Sequence, residues 1–170
     1  MRRSLLKNIG WIFGILLLSG NIAEAGAFRD STRSPAGDQI FVGDHGWILI
    51  HRTNGTRDSL QVLNGEGTLY AASWPSNAVV YVVGKRARGT GILLKSVDGG
   101  KSWREIAPAL PLFPFPVYYT DVLFVDAYVG RVRATRGYLL RTTDGGISWQ
   151  VMLKPDLPPL EQAVREVIGR

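Results

Sequence analysis

Two stretches of the sequence decide the fold: "SVDGGKSW", residues 96–103, and "TTDGGISW", residues 142–149. Both fit the pattern Ser/Thr-x-Asp-x-Gly-x-Ser-Trp, and Asp144 follows Asp98 by 46 residues. An aspartate in a turn can accept hydrogen bonds from backbone N–H groups two residues on, and glycine adopts positive φ without a Cβ penalty. We therefore interpret the two stretches as the same structural turn, made once in each of two repeats.

The repetition extends outward from these turns. The segment "GILLKSVDGGKSWREI", residues 91–106, aligns with "GYLLRTTDGGISWQVM", residues 137–152. A weaker third copy precedes them, in which Asn54-Gly55 lies 44 residues before Asp98 and Leu60 falls near the tryptophan position. Three units of about 45 residues therefore account for most of the chain.

Each unit contains short β-prone runs separated by Gly, Asp and Ser. Examples are "AVVYVVG" from residue 78, "GILLKS" from residue 91 and "WREIA" from residue 103. Strands of this length with turn signals between them predict an all-β protein, and about four strands in a period of 40–50 residues is typical of a β-propeller blade. The predicted architecture is about three four-stranded blades, in an incomplete propeller or one completed by oligomerisation. Trp103 and Trp149 are expected to fold under their hairpins and seal the blade.

The turn pattern resembles the Asp-box, or BNR repeat. It is met by Ser96, Asp98, Gly100, Ser102 and Trp103, and again by Thr142, Asp144, Gly146, Ser148 and Trp149. The phrases "FVGDHGWILIHRTNG" and "VLFVDAYVGRVRATRGYLLRTTDGG" are similar to the branch related to photosystem II stability and assembly factors. This resemblance covers residues 39–153 and implies a seven-bladed propeller that helps assemble a membrane complex.

The sequence departs from that pattern in its number of units. Propellers close with four to eight blades, and three units cannot do so. The alternatives are a fragment, a degenerate relative without independent function, and a protomer that closes with another copy. Exposed sheet edges recruit further strands, so we expect self-association, with two chains forming a six-bladed ring.

The N-terminal residues have the features of a secretory signal. Arg2, Arg3 and Lys7 precede a short apolar run, and "AEA" at residues 23–25 places small residues where a signal peptidase acts. An uncleaved anchor is the alternative, but a spanning helix needs about 20 residues. The predicted domains are a signal peptide (1–25), a linker (26–38), the repeat domain (39–153) and a tail with a short helix (154–170). The protein is then exported, to the periplasm or the medium.

Composition limits the chemistry that the chain can carry. Of 20 basic and 14 acidic residues, 17 and 13 remain after the predicted cleavage, which gives a net charge of +4. Binding to nucleic acid is not expected from an exported chain with so small a charge. The chain has no cysteine, so disulfides and thiolate metal sites are excluded.

No residue is predicted to be catalytic, to bind a cofactor or to ligate a metal. Asp98 and Asp144 are interpreted as turn acceptors, and their turns lack the spacing of phosphate or calcium loops. His45 and His51 have too few acidic neighbours for a metal site. The alternative function is a sialidase-like remnant that binds or cleaves glycans, although the arginine triad and the Tyr-Glu nucleophile pair of sialidases are not recognisable.

Basic residues provide the functional hypothesis. Lys85, Arg86 and Arg88 precede the hairpin of the second unit, and Arg131, Arg133 and Arg136 hold nearly the same place in the third. Repeat geometry predicts that both groups lie on one face of neighbouring blades. In the assembly factors that the chain resembles, an arginine-rich face meets the partner. We therefore expect a protein partner, an exported segment of a membrane protein complex, with a solvated polar edge as the alternative.

Overall fold

The computed structural model describes residues 27–106 and 116–153, and these form three four-stranded antiparallel sheets. We call the sheets blades 1, 2 and 3. In each blade the strands follow one another in sequence order. This confirms the predicted all-β fold class.

The strands of blade 1 are β1 (Phe28–Arg33), β2 (Gln39–Gly43), β3 (Trp47–His51) and β4 (Arg57–Gln61). Those of blade 2 are β5 (Gly67–Ser73), β6 (Val80–Arg86), β7 (Gly91–Ser96) and β8 (Arg104–Glu105). Those of blade 3 are β9 (Tyr119–Phe124), β10 (Gly130–Ala134), β11 (Leu139–Thr142) and β12 (Gln150–Leu153). Short 3-10 turns lie at Leu63–Gly65 and Thr135–Gly137.

The blades pack face to face because alternate residues of their strands are apolar. One core cluster joins Ile40 and Ile48 of blade 1 to Val82 and Ile92 of blade 2. A second joins Tyr81 of blade 2 to buried residues of blade 3, and the rings of Tyr81 and Phe124 stack with centroids 3.5 Å apart. Blade 2 is therefore buried on both faces, which explains the near-continuous burial of β6 and β7.

Blades 1 and 3 each have one face that no other described sheet covers. In blade 3, the residues of β10 alternate between buried and exposed, with Val132 buried and Arg131 and Arg133 exposed. The surfaces left open by a three-blade stack are thus sheet faces. Within the chain the blades join by their faces, and association between chains stays a prediction.

The first strand lies where we expected a linker, within residues 26–38. Its sequence, "FRDSTR", has no apolar alternation, so it gave no strand signal. It forms because its backbone pairs with β2, and because the Asp30 carboxylate accepts a hydrogen bond from Ala72 N of blade 2 at 3.0 Å. Leu60, which falls near the tryptophan position of the other repeats in sequence, is 39% exposed on the outer strand of blade 1.

Two expectations lie outside the described residues. These are the signal peptide and the helix in the tail. Within residues 27–106 and 116–153 no helix is long and apolar enough to cross a membrane.

Candidate functional site

The two repeated turns have the same hydrogen-bond network. In the first, the Asp98 carboxylate accepts bonds from Lys101 N at 3.0 Å, Ser102 N at 2.9 Å and Ser102 Oγ at 2.5 Å. Ser96 Oγ donates to Asp98 Oδ1 and accepts from Gly100 N, both at 2.8 Å. These bonds, led by the one from the Ser102 hydroxyl, hold the Asp98 pKa far below its usual value.

The second turn repeats the main bonds of this arrangement. Ser148 N and Ser148 Oγ donate to the Asp144 carboxylate at 2.9 and 2.5 Å, and Thr142 Oγ1 takes the role of the earlier serine hydroxyl. The same causes, with the Ser148 side chain first, lower the Asp144 pKa to about 2. Both carboxylates are ionised at neutral pH and fully occupied within their own turns, which makes them poor proton donors.

The tryptophans close the turns from below. Trp103 Nε1 donates to Gly100 O, and Trp149 Nε1 donates to Gly146 O, each at 3.1 Å. Trp103 packs against the core shared by blades 1 and 2, and Trp149 against the core shared by blades 2 and 3. Each indole therefore satisfies its polar atom locally while its ring fills an inter-blade core.

A basic side chain from the preceding blade holds each turn in place. Arg52 Nη1 donates to Gly99 O at 2.7 Å, and Lys95 Nζ donates to Gly145 O at 2.8 Å. Gly99 and Gly145 are the equivalent first glycines of the two turns. Sequence reasoning missed these contacts, although a signal was present: a basic residue stands directly before Ser or Thr in "RT", "KS" and "RT" at residues 52, 95 and 141.

The six basic residues proposed as a partner site do not form one group. Lys85 and Arg86 end β6 and Arg88 lies in the following hairpin, while Arg136 lies in the hairpin between β10 and β11. These four share the end of the blades that carries the hairpins between second and third strands, which we call the hairpin end. Arg131 and Arg133 instead lie on the open face of blade 3.

The two groups differ because their hairpins differ in length. Val80 pairs with Ser96 in blade 2, and Gly130 pairs with Thr142 in blade 3, so the blade 2 hairpin has four more residues. In this register Arg131 and Arg133 correspond to the buried Tyr81 and Val83. The expectation that the two basic groups hold the same place is therefore wrong for these two arginines.

Aromatic rings adjoin the basic residues of the hairpin end. The rings of Tyr70 and Tyr118 stack at 5.7 Å, Lys85 Nζ lies 5.4 Å from the Tyr118 ring centroid, and Arg29 lies 5.6 Å from that of Tyr70. The hairpin of blade 2 is hydrogen-bonded to the segment that carries Tyr118, since Gly91 N donates to Val117 O at 2.8 Å. We call Arg29, Tyr70, Tyr118 and Lys85 the cation–aromatic row.

Carboxylates pair with some of these cations. Arg29 contacts Asp44 at 2.6 Å, and Arg86 forms an ion pair with Glu105. Arg88 and Arg136 are exposed in their hairpins. The hairpin end therefore has cations close to flat aromatic rings, which is a surface suited to carboxylates and extended peptide.

The histidines do not share a site. His45 lies in the hairpin between β2 and β3 with a φ of 55°, and His51 ends β3, at the other end of the blade. Burial, followed by the charge of Arg57, lowers the pKa of His51. Among the described residues no group of three or more His, Asp or Glu side chains could hold a metal ion.

Three antiparallel four-stranded blades stacked face to face define a β-propeller type of protein. No family model matches the sequence, and no curated protein matches it. Several solved structures share the fold, and two of them are described here. One, described as "YCF48 bound to D1 peptide", is 21% identical with a TM-score of 0.61, over 75% of this chain and 39% of that chain.

The other is YCF48 from Cyanidioschyzon merolae, which is 20% identical with a TM-score of 0.63. The match covers 81% of this chain and 42% of that chain. The chain thus spans about two fifths of the length of these structures. The likeness confirms propeller-type blades for this chain.

Proposed function

We propose that the chain is a non-catalytic, protein-binding module of the assembly-factor type, and that its hairpin end binds an acidic segment of a membrane protein. The observation that carries this proposal is the cation–aromatic row together with Arg88 and Arg136 on the same end of two adjacent blades. The resemblance of the repeats to photosystem II assembly factors supports it, as does a fold shared with a YCF48 described as bound to a D1 peptide.

The chemistry of this end favours a carboxylate-rich peptide. The blade hairpins leave exposed arginine side chains at their tips, while stacked Tyr70 and Tyr118 present flat surface beside them. Cations near aromatic rings bind carboxylates without ordering many flexible side chains. At 0.15 M salt the screening length is about 8 Å, so contacts at such an exposed surface weaken as salt increases.

The test is capture of partners from a detergent extract of membranes on immobilised protein. The double variant Arg88→Ser/Arg136→Ser should recover less of its membrane-protein partner than wild type, and more salt should reduce recovery by wild type. The matched control is Lys101→Ser/Arg104→Ser, which removes the same charge from exposed positions outside the hairpin end. Equal recovery by wild type and the first variant at low salt would reject the proposal.

Export is part of the same proposal, because the N-terminal signal would deliver the module to exported segments of membrane proteins. The test is N-terminal sequencing of the protein after expression with its own first 25 residues. A mature N-terminus at Gly26 in an extracytoplasmic fraction is the expected result. An intact N-terminus in the cytoplasmic fraction would contradict export and leave the binding surface to be judged separately.

A further inference from the structure

The two blades at the ends of the stack present open faces of different chemistry. Open face 1, on blade 1, is aromatic and apolar and consists of Phe28, Phe41, Trp47, Leu49 and His51. Open face 3, on blade 3, is basic and apolar and consists of Leu123, Arg131, Arg133, Leu139 and Arg141. Phe28 is 42% exposed and Leu123 is 59% exposed. Contiguous apolar surface of this kind marks an interaction site.

Open face 3 is the equivalent, in blade 3, of the face of blade 2 that blade 3 covers. Tyr81 pairs with Lys95 and Val83 pairs with Leu93 on the side of blade 2 that blade 3 covers. The equivalent pairs in blade 3 are Arg131 with Arg141, and Arg133 with Leu139. Open face 3 therefore has the position at which the next blade of the series would pack.

The contact that joins successive blades has a counterpart on this face. Arg52 binds the carbonyl of Gly99, and Lys95 binds the carbonyl of Gly145, each from one blade to the turn of the next. Arg141 has the register position of Lys95. A third turn brought to open face 3 would thus present its first-glycine carbonyl to Arg141.

We propose that a second copy of this chain supplies that blade: its open face 1 packs on open face 3, and two copies close head to tail into a six-bladed ring. Guanidinium groups stack well on aromatic rings, so Arg131 and Arg133 suit Phe41 and Trp47 of the other copy. A two-fold axis forms both contacts at once and leaves neither face open. This inference does not rest on the proposed function.

The turn of blade 1 can meet Arg141 of the other copy. Gly55 lies in the hairpin of blade 1 that corresponds to these turns, and its φ is positive, as theirs are. The blade 1 hairpin is one residue shorter between its basic residue and this glycine. No atom lies within 4 Å of the place where a Gly55 Cβ would be, so the turn is open to approach. The blade 1 turn is thus sterically accessible to Arg141 of the other copy.

The effect of salt should distinguish ring closure from binding of an acidic partner, because the charges involved differ. Open face 3 carries three arginines with Asp121 nearby, and Arg57 lies beside His51 at the margin of open face 1. The two faces therefore attract through apolar and cation–aromatic contacts, while their net charges repel. Added salt screens that repulsion. The dimer should therefore persist or become more stable at salt concentrations that weaken binding of the acidic partner.

Sedimentation velocity of the purified full chain tests the proposal. We expect a dimer at micromolar concentrations. Leu49→Asp on open face 1 and Arg141→Glu on open face 3 should each raise the dissociation constant of the dimer about tenfold or more. The control Arg88→Glu changes an exposed arginine away from both faces and should leave the dimer intact. Thermal melting of each variant shows whether it is folded. A wild-type chain that stays monomeric would overturn the proposal. That result is expected if the tail covers open face 3, or if nothing covers it.

Cysteine cross-linking tests the head-to-tail arrangement with one substitution in the blade 1 turn and one on the outer strand of open face 3. The chain has no cysteine, so single cysteines report only the designed contact. Thr56→Cys lies in the blade 1 turn, and Gln150→Cys lies beside Arg141. A mixture of the two variants should form the mixed disulfide in preference to either symmetric one. Preference for Thr56→Cys or Gln150→Cys pairing with itself would mean that like faces meet and would overturn the proposal.

Discussion

Lys95 Nζ of blade 2 donates a 2.8 Å hydrogen bond to the carbonyl of Gly145 in the turn of blade 3. The hydroxyl of Tyr81 reaches the same carbonyl at 3.3 Å and donates to Ala127 O at 2.8 Å. Burial is the main reason that the pKa of Lys95 is lowered and that of Tyr81 is raised. Two polar side chains in an otherwise apolar interface thus fix where the next blade sits.

Replacing either side chain should loosen this joint. Tyr81→Phe and Lys95→Met each leave buried carbonyl oxygens with fewer donors, at a cost of about 1–3 kcal/mol in the free energy of unfolding. Because both act on Gly145 O, the double variant should lose less than the sum of the two single losses. Urea unfolding measures all four proteins. Strict additivity would show that the two side chains act independently.

Asp98→Ala should destabilise the first turn without affecting partner binding. The substitution leaves Lys101 N and Ser102 N without their acceptor, so we expect the thermal unfolding midpoint to fall by several degrees. Asp144→Ala should behave in the same way. Ser102→Ala is the control, since it removes one donor but keeps the carboxylate and should cost less. Unchanged melting with lost partner capture would contradict the structural role.

Acid should weaken the fold through the same carboxylates. The pKa of Asp144 is about 2 in the folded chain, against 3.8 as the ordinary value. Its stabilisation is therefore complete above about pH 4 and is lost as pH falls toward 2, because the unfolded chain binds the proton first. The difference in unfolding midpoint between wild type and Asp144→Asn should shrink over this range. A constant difference from pH 5 to pH 2 would rule out this linkage.

Gly100→Ala tests the packing of the turn on the preceding blade. Gly100 has a φ of 89°, and a Cβ there would press on the Ile50 side chain of blade 1. Gly55→Ala is the matched control, since Gly55 has a φ of 85° in open space. The control should cost about 1–2 kcal/mol for its backbone conformation, and Gly100→Ala should cost about 1–3 kcal/mol more for the overpacking. Calorimetry or urea unfolding would compare them, and equal losses would show that Ile50 moves aside freely.

Local signals in the sequence predicted the parts of the fold that local chemistry determines. Asp98 and Asp144 with their glycines marked the turns, and the β-prone runs beside them became β7 and β11. β1 was missed because its residues are polar and its pairing depends on β2 and on Ala72 N. The positions of Arg131 and Arg133 were missed because a fixed period cannot show that one hairpin is four residues longer. The contacts of Arg52 and Lys95 join different blades, so only the assembled structure brings them together.

The unequal hairpins of blades 2 and 3 bear on how such a chain can change during evolution. The joints between blades lie near the repeated turns, at the opposite end from the hairpins, where Arg52 and Lys95 meet Gly99 and Gly145. The segment from Val80 to Ser96 is four residues longer than the equivalent segment of blade 3, while the turns of the two blades lie 46 residues apart. Changes in length at the hairpin end can therefore alter the proposed binding surface, while the blades keep a common way of joining.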